Sequence, residues 1–125
     1  SHIHAGINLW KKGLIKGPPW FDMVMNIKNA LPYHPRHLMH MVDTVPAEGM
    51  WSVIGVGPAQ LPASTMGIVM GGHCRVGLED NLFYAYKQLA TNAQLVERVV
   101  RLAKELQREV ATPDEARAML KIENS

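Results

Sequence analysis

WFDMVMNI, Trp20 to Ile27, decides the fold class. It is an almost continuous apolar run bounded by prolines, short enough for a strand buried on both faces, as strands of parallel sheets are. WSVIGVG, Trp51 to Gly57, repeats the pattern. Between the two, Asn29 to Pro35 reads as a loop. Pro35 then opens a short helix at its first position, with Leu38, Met41 and Val42 on the inner face and Pro46 and Gly49 closing it. Strands alternating with helices in this way imply βαβ units and a parallel sheet.

Outward from this unit the alternation continues. Upstream, Ile3, Ile7, Trp10 and Leu14 fall at helical intervals and predict a helix ending near Leu14, with Gly13 and Gly17-Pro18-Pro19 as the stop. Downstream, Pro62 to Met70 reads as a helix closed by Gly71-Gly72, and His73 to Leu78 as a third strand. Thr91 and Gln94 form an S/T-x-x-E/Q capping box ahead of an apolar stripe of Leu95, Val96, Val99, Leu102, Ala103 and Leu106. Thr112-Pro113-Asp114-Glu115 is a second capping box, opening a helix through Leu120. Three parallel strands make an awkward complete domain, because two edges stay open and such sheets are normally covered on both faces. A β/α barrel has eight strands in about 250 residues, roughly twice the length here.

The 125 residues are 47% apolar and 19% charged, the profile of a globular chain. The net charge is +2, and from Arg75 onward eight Lys and Arg face eight Asp and Glu, which argues against a nucleic-acid or anionic-membrane partner. Cys74 is the only cysteine, so no intrachain disulfide forms and a reducing, cytoplasmic setting is expected. The start SHIHAGINLWKKGLIKG lacks a basic segment followed by an apolar one, and no run approaches the ~18 apolar residues of a spanning helix. A chain that is neither exported by a visible signal nor membrane-embedded is the expectation.

The segment that carries chemistry is GGHCRVGLEDN, Gly71 to Asn81. If the strand runs through it, alternation places Arg75, Gly77 and Glu79 on one face and Val76, Leu78 and Asp80 on the other. At ~3.3 Å per residue Arg75 and Glu79 stand roughly 13 Å apart, with no side chain at Gly77 to block Arg75 from reaching the carboxylates. Two readings fit: an ion pair that ties a strand to its following loop, or a charged pair at the C-terminal mouth of a barrel, where catalytic residues gather. Spacing alone leaves both open.

GGHCRVGLEDN, followed by LATNAQLVERVVRLAKELQREVATPDEARAML, resembles the C-terminal region of the β-keto acid cleavage enzymes. GLIKGPPWFDMVM and WSVIGVGPAQLP resemble that family's sixth-strand and seventh-strand regions, so the likeness covers nearly the whole chain. The resemblance implies that residues 1–125 form one partial domain, about strands 6 to 8 of a (β/α)8 barrel with their helices. It further implies a zinc-dependent enzyme that converts a β-keto acid and acetyl-CoA to acetoacetate and a new acyl-CoA, with a homo-oligomer, a tetramer, as the expected assembly. Glu79 matches the family's carboxylate zinc ligand, Asp80 its general base and Arg75 the arginine coupled to that acid. Gly57 and Gln60, after the second strand, are the expected acetyl-CoA contacts. The family's His-x-His zinc ligands near the second strand have no counterpart here, and the fragment alone is expected to be inactive. The alternative, from a different class, is a non-catalytic unit that associates through its open sheet edges.

This chain departs from the resemblance at Pro58, where a basic residue is expected, and at Lys87 and Gln107, where glycine is frequent. Glycine at 107 would supply the left-handed cap of the long helix, so a different helix end is expected there. His34, His37 and His40 recur every three residues, but with Pro35 at the helix start and no Cys or acid to complete a set they read as surface histidines. His2-Ile3-His4 falls on a helix, where residues two apart point apart. His73 reads as structural and Cys74 as a buried, inert thiol.

Overall fold

Three parallel strands, β1 (Trp20–Met25), β2 (Met50–Gly55) and β3 (His73–Cys74), lie side by side in that order in the computed structural model, which describes residues 2–122. Trp20 pairs with Met50 and runs in register to Met25 opposite Gly55, while Ser52 and Val53 pair with His73 and Cys74. Helices α1 (His2–Lys11), α2 (Pro35–Thr44) and α3 (Gln60–Val69) alternate with the strands. A 3-10 turn, Gly57–Ala59, leads into α3, and α4 (Asn92–Glu105) and α5 (Pro113–Leu120) follow. The architecture is mixed α/β with a parallel sheet, consistent with part of a β/α barrel. None of the described helices is long and apolar enough to cross a membrane.

Strand alternation divides the sheet into two unlike faces. Met23, Met25, Trp51 and Val53 point to one side and form the core with Leu38 of α2 and Ala63 of α3. Trp20, Asp22, Ser52 and Arg75 belong to the other, where Trp20 is exposed and Ser52 buried. Trp51 through Gly55 are all buried, as expected of the central strand. Close helix packing depends on missing side chains: a Cβ on Gly55 would run into the Ala59 carbonyl, and one on Gly72 into the Trp51 ring.

The capping boxes form as read. Thr91 accepts from the Gln94 N–H at 3.2 Å while Gln94 returns a bond to the Thr91 N–H, and Thr112 and Glu115 do the same at α5. The Thr112 backbone and hydroxyl donors hold the Glu115 carboxyl below its ordinary range. The apolar stripe of α4 buries Leu95 and Ala103, but leaves Val96 and Leu106 exposed.

Three sequence readings change. The third strand was expected to reach Leu78 but ends at Cys74, with only the Arg75 N–H extending the ladder to the Val53 carbonyl. Beyond it the Asp80 and Asn81 N–H groups fold back onto the Gly77 carbonyl, so the chain turns instead of pairing. An antiparallel hairpin, β4 (Phe83–Ala85) and β5 (Gln88–Leu89), stands where no element was expected. Lastly, α4 keeps the glycine-type ending without glycine: Gln107 adopts φ 57, its N–H bonds to the Lys104 carbonyl and that of Arg108 to Ala103. Arg108 then reaches the Ile68, Gly71 and Gly72 carbonyls, tying the end of α4 to the end of α3.

A left-handed Gln is strained relative to Gly. Gln107→Gly should therefore stabilise the protein by about 0.5–1 kcal/mol, read as a higher urea midpoint with an unchanged slope. A midpoint that falls would contradict this account of the turn.

Candidate active site

Arg75 emerges from the last ladder bond of β3, and the turn after it brings acids to its guanidinium. One terminal nitrogen donates to Asp22 Oδ2 at 2.8 Å; the other donates to Glu79 Oε2 at 3.0 Å and Asp80 Oδ2 at 3.5 Å. Arg75 does reach both carboxylates, but not by running along an extended strand. The 77–81 turn cancels the alternation that would set Glu79 and Asp80 on opposite faces. Asp22, first among the causes, holds the guanidinium more firmly protonated, with Asp80 and Glu79 adding to it.

The three acids differ in surroundings. The Asp80 side chain is 17% exposed, Asp22 30% and Glu79 80%. Asp22 is the member that sequence reasoning missed. It lies in the middle of an apolar strand, and an Asp there, where strands disfavour it, was the available signal. Its Oδ1 accepts the Ser52 hydroxyl at 2.7 Å, and Ser52 Oγ accepts the Trp20 indole N–H at 3.0 Å. Direct pairing of Asp22 with Ser52 in the β1–β2 register puts these groups side by side.

Asn81 fixes the turn. Buried to 3% exposure, it donates through Nδ2 to the Gly55 carbonyl at 3.0 Å and accepts the Gly57 N–H through Oδ1 at 2.5 Å. Its amide thus satisfies the end of β2 much as another strand would. On the far side, the Leu78 N–H donates to Asn92 Oδ1 at 2.9 Å, linking the turn to the first residue of α4.

Next to Asp80 opens a groove of about 980 Å³, lined by Gly57, Pro58, Leu61, Phe83 and Lys87 among others. Gly57, with φ 63, presents bare backbone to it. Gln60 lies buried in its wall, where Oε1 accepts from Arg98 and Nε2 has no partner among the described residues. Arg98 also stacks on the Tyr84 ring at 4.3 Å and donates to the Tyr84 carbonyl at 2.6 Å, which fastens the hairpin to α3 and α4.

His34, His37, His73 and Cys74 make local structural contacts. His34 caps α2, its Nδ1 accepting from the Arg36 N–H at 3.2 Å, and His37 Nδ1 lies 2.9 Å from the Pro32 carbonyl. His73 stacks on Trp20 at 5.0 Å, and burial with the nearby Arg108 charge lowers its pKa. Burial pushes the Cys74 thiol up to about 11, and its Sγ donates to the Ser64 carbonyl. A neutral, half-buried thiol is a poor nucleophile. Among the described residues no group of three or more His, Cys, Asp or Glu is placed to hold a metal ion. Glu79, largely exposed and bonded through one oxygen, offers one carboxylate ligand rather than a set.

Asn81→Ala should cost about 1–3 kcal/mol, because it strands the Gly55 carbonyl and the Gly57 N–H. Chemical denaturation measures that loss, and a crystal structure should find Asp80 displaced from Arg75. A variant as stable as the parent would remove Asn81 from this role.

Comparison with known proteins places these residues in a family. The profile of the beta-keto acid cleavage enzyme family matches residues 1–122. The chain is 46% identical over 121 residues to the 3-keto-5-aminohexanoate cleavage enzyme of Fusobacterium nucleatum, covering 96% of this chain and 44% of that protein. It is 44% identical to the enzyme of the same name from Acetoanaerobium sticklandii, covering 98% of this chain and 45% of that protein. Against the 3-dehydrocarnitine:acetyl-CoA trimethylamine transferase of Rhizobium meliloti the identity is 35%, over 98% of this chain and 41% of that one. The chain thus spans less than half the length of these relatives. Since the match spans the parallel sheet, the Arg75 cluster and both capping-box helices, the chain belongs to the beta-keto acid cleavage enzyme family.

Proposed function

We propose that the protein to which this chain belongs cleaves a β-keto acid with acetyl-CoA, giving acetoacetate and a new acyl-CoA. Residues 1–125 would supply the last strands of its barrel as one partial domain. The observation that carries the reading is the meeting of Glu79 and Asp80 on Arg75 just past the C-terminal end of β3, where barrel enzymes place their chemistry, with Asp22 of β1 on the same guanidinium. The relatives named for β-keto acid cleavage and for acetyl-CoA transfer support the substrate pair.

Asp80 is the general base. It is the least exposed of the three acids, borders the groove and lies 3.5 Å from Arg75, whose positive charge favours its ionised form and fixes its direction. It would take the proton from the carbon between the keto and carboxylate groups. That carbon would attack the thioester carbonyl and expel the CoA thiolate, which would add to the keto carbon. Breaking the bond between the keto carbon and the former carbanion leaves the new acyl-CoA, and Asp80 would return its proton to complete acetoacetate. Gly57 and Gln60 stand on the groove beside Asp80, and we assign this side to acetyl-CoA, with the thioester against the Gly57 backbone. Glu79 would hold zinc together with ligands from outside this chain. When bound there, zinc supplies a Lewis acid that polarises the keto oxygen.

Two variants of the full-length protein separate these roles. Glu79→Ala should lose zinc, measured by elemental analysis, together with acetyl-CoA-dependent acetoacetate formation. Asp80→Asn should keep its zinc and lose about 10²–10⁴-fold in kcat, the range for a general base. Undiminished turnover in either variant would overturn that residue's assignment. A full-length parent that forms no acetoacetate from any of a panel of β-keto acids would overturn the reaction itself.

A further inference from the structure

Arg75 is held at two ends, and the two ends are unlike. Glu79 and Asp80 lie on a turn, whereas Asp22 belongs to the regular strand β1 and makes the shortest of the three contacts, 2.8 Å. The side chain of an arginine has several rotatable bonds, and ordering such a chain costs rotamer entropy. Something rigid must set it if the guanidinium is to direct a catalytic acid. Asp22 is itself set. Its second oxygen receives the Ser52 hydroxyl, whose oxygen is in turn held by the Trp20 indole N–H, so the carboxylate is fixed from two strands before it meets Arg75.

The position also runs against what the fold alone would select. Asp22 interrupts WFDMVM, between Phe21 and Met23, in a strand where an apolar or β-branched residue would stabilise the sheet. A carboxylate is retained on the sheet face away from α2 and α3, directly beside Ser52 and in register with His73, two residues before Arg75. Its geometry serves one visible purpose, the orientation of Arg75.

We infer that Asp22 is a positioning residue for the proposed reaction: with Ser52 and Trp20 it locks the Arg75 guanidinium, and through Arg75 it aims Asp80 at the substrate. This rests on the assignment of Asp80 as the base. Asp22 itself touches neither substrate nor metal in this account. Misplacement of a catalytic group by about 1 Å costs on the order of 10²-fold in rate, so loss of the lock reads mainly in kcat.

The test uses the full-length protein with its zinc. Asp22→Asn should lower kcat about 10- to 100-fold, with KM for both substrates and zinc content close to the parent's. Ser52→Ala, which removes one hydrogen bond and no charge, should lower kcat about 3- to 10-fold and provides the answer if Asp22→Asn does not fold. On an Arg75→Lys background, Asp22→Asn should cost little more, because the group it positions is already gone. A kcat within twofold of the parent for the folded single variants, or losses that multiply in the double variant, would overturn the inference. An inactive parent would instead indict the proposed reaction. In that event a crystal structure of Asp22→Asn decides: Arg75 displaced from Asp80 supports the lock, and Arg75 unmoved refutes it.

Discussion

A guanidinium on a sheet face has to be met by acids, and how Arg75 is met organises the C-terminal rim of this molecule. Its partners come from β1 and from the turn after β3. The bond to Asp22 therefore reaches across the width of the sheet, past β2, while the bonds to Glu79 and Asp80 close the turn. An exposed ion pair contributes little to stability, because solvent screens it and two side chains must be ordered. At 43% exposure Arg75 is no deep anchor for the fold, and the value of the cluster lies in geometry more than in stability.

That geometry depends on the opposite face. Met23, Met25, Trp51 and Val53 pack under α2 and α3, and the fixed alternation of strands then obliges Asp22, Ser52 and Arg75 to point away from the helices. Gly55 allows α3 to begin against the end of β2, and Asn81 takes over the backbone groups that β2 leaves there. The close start of α3 and the buried amide together determine where the 77–81 turn sits. Helix packing on one side and carboxylate placement on the other are thus two outcomes of one strand register.

Much of this was legible. Two apolar runs with a Pro-initiated helix between them specify a parallel pair, and the capping boxes at Thr91 and Thr112 mark helix starts by chemistry local to four residues. What stayed illegible is what local pattern does not encode. CRVGLED looks like a strand because it has strand-like residues, but a strand needs a neighbour to pair with, and β2 ends at Gly55 with its last groups claimed by Asn81. The 83–89 hairpin is short, and its turn residue Lys87, at φ 57, was marked only by the glycine frequent there in the resembling family. Asp22 was visible only as a blemish in an apolar run. Its meaning required the register that brings it beside Ser52 and within reach of a residue 53 positions away. Gln107 shows the reverse case: the departure from glycine was plain, yet the helix ends as it would with glycine, because Arg108 and the α3 carbonyls hold the backbone there.

The charge on the rim bears on the proposed chemistry. Three carboxylates around one guanidinium leave two negative charges unbalanced. Where Arg75 and Glu79 are exposed, solvent screens part of that excess. Within a closed barrel the same groups would be partly desolvated, where uncompensated charge is costly. A divalent cation on Glu79, the most exposed of the three acids, would balance it without drawing on Arg75's contacts to Asp22 and Asp80. Under the proposed function the cluster then divides cleanly: Glu79 faces the metal, Asp80 faces the substrate, and Asp22 faces only Arg75. This is the one acid for which the reaction has no direct use, and it is also the one that the strand holds most firmly.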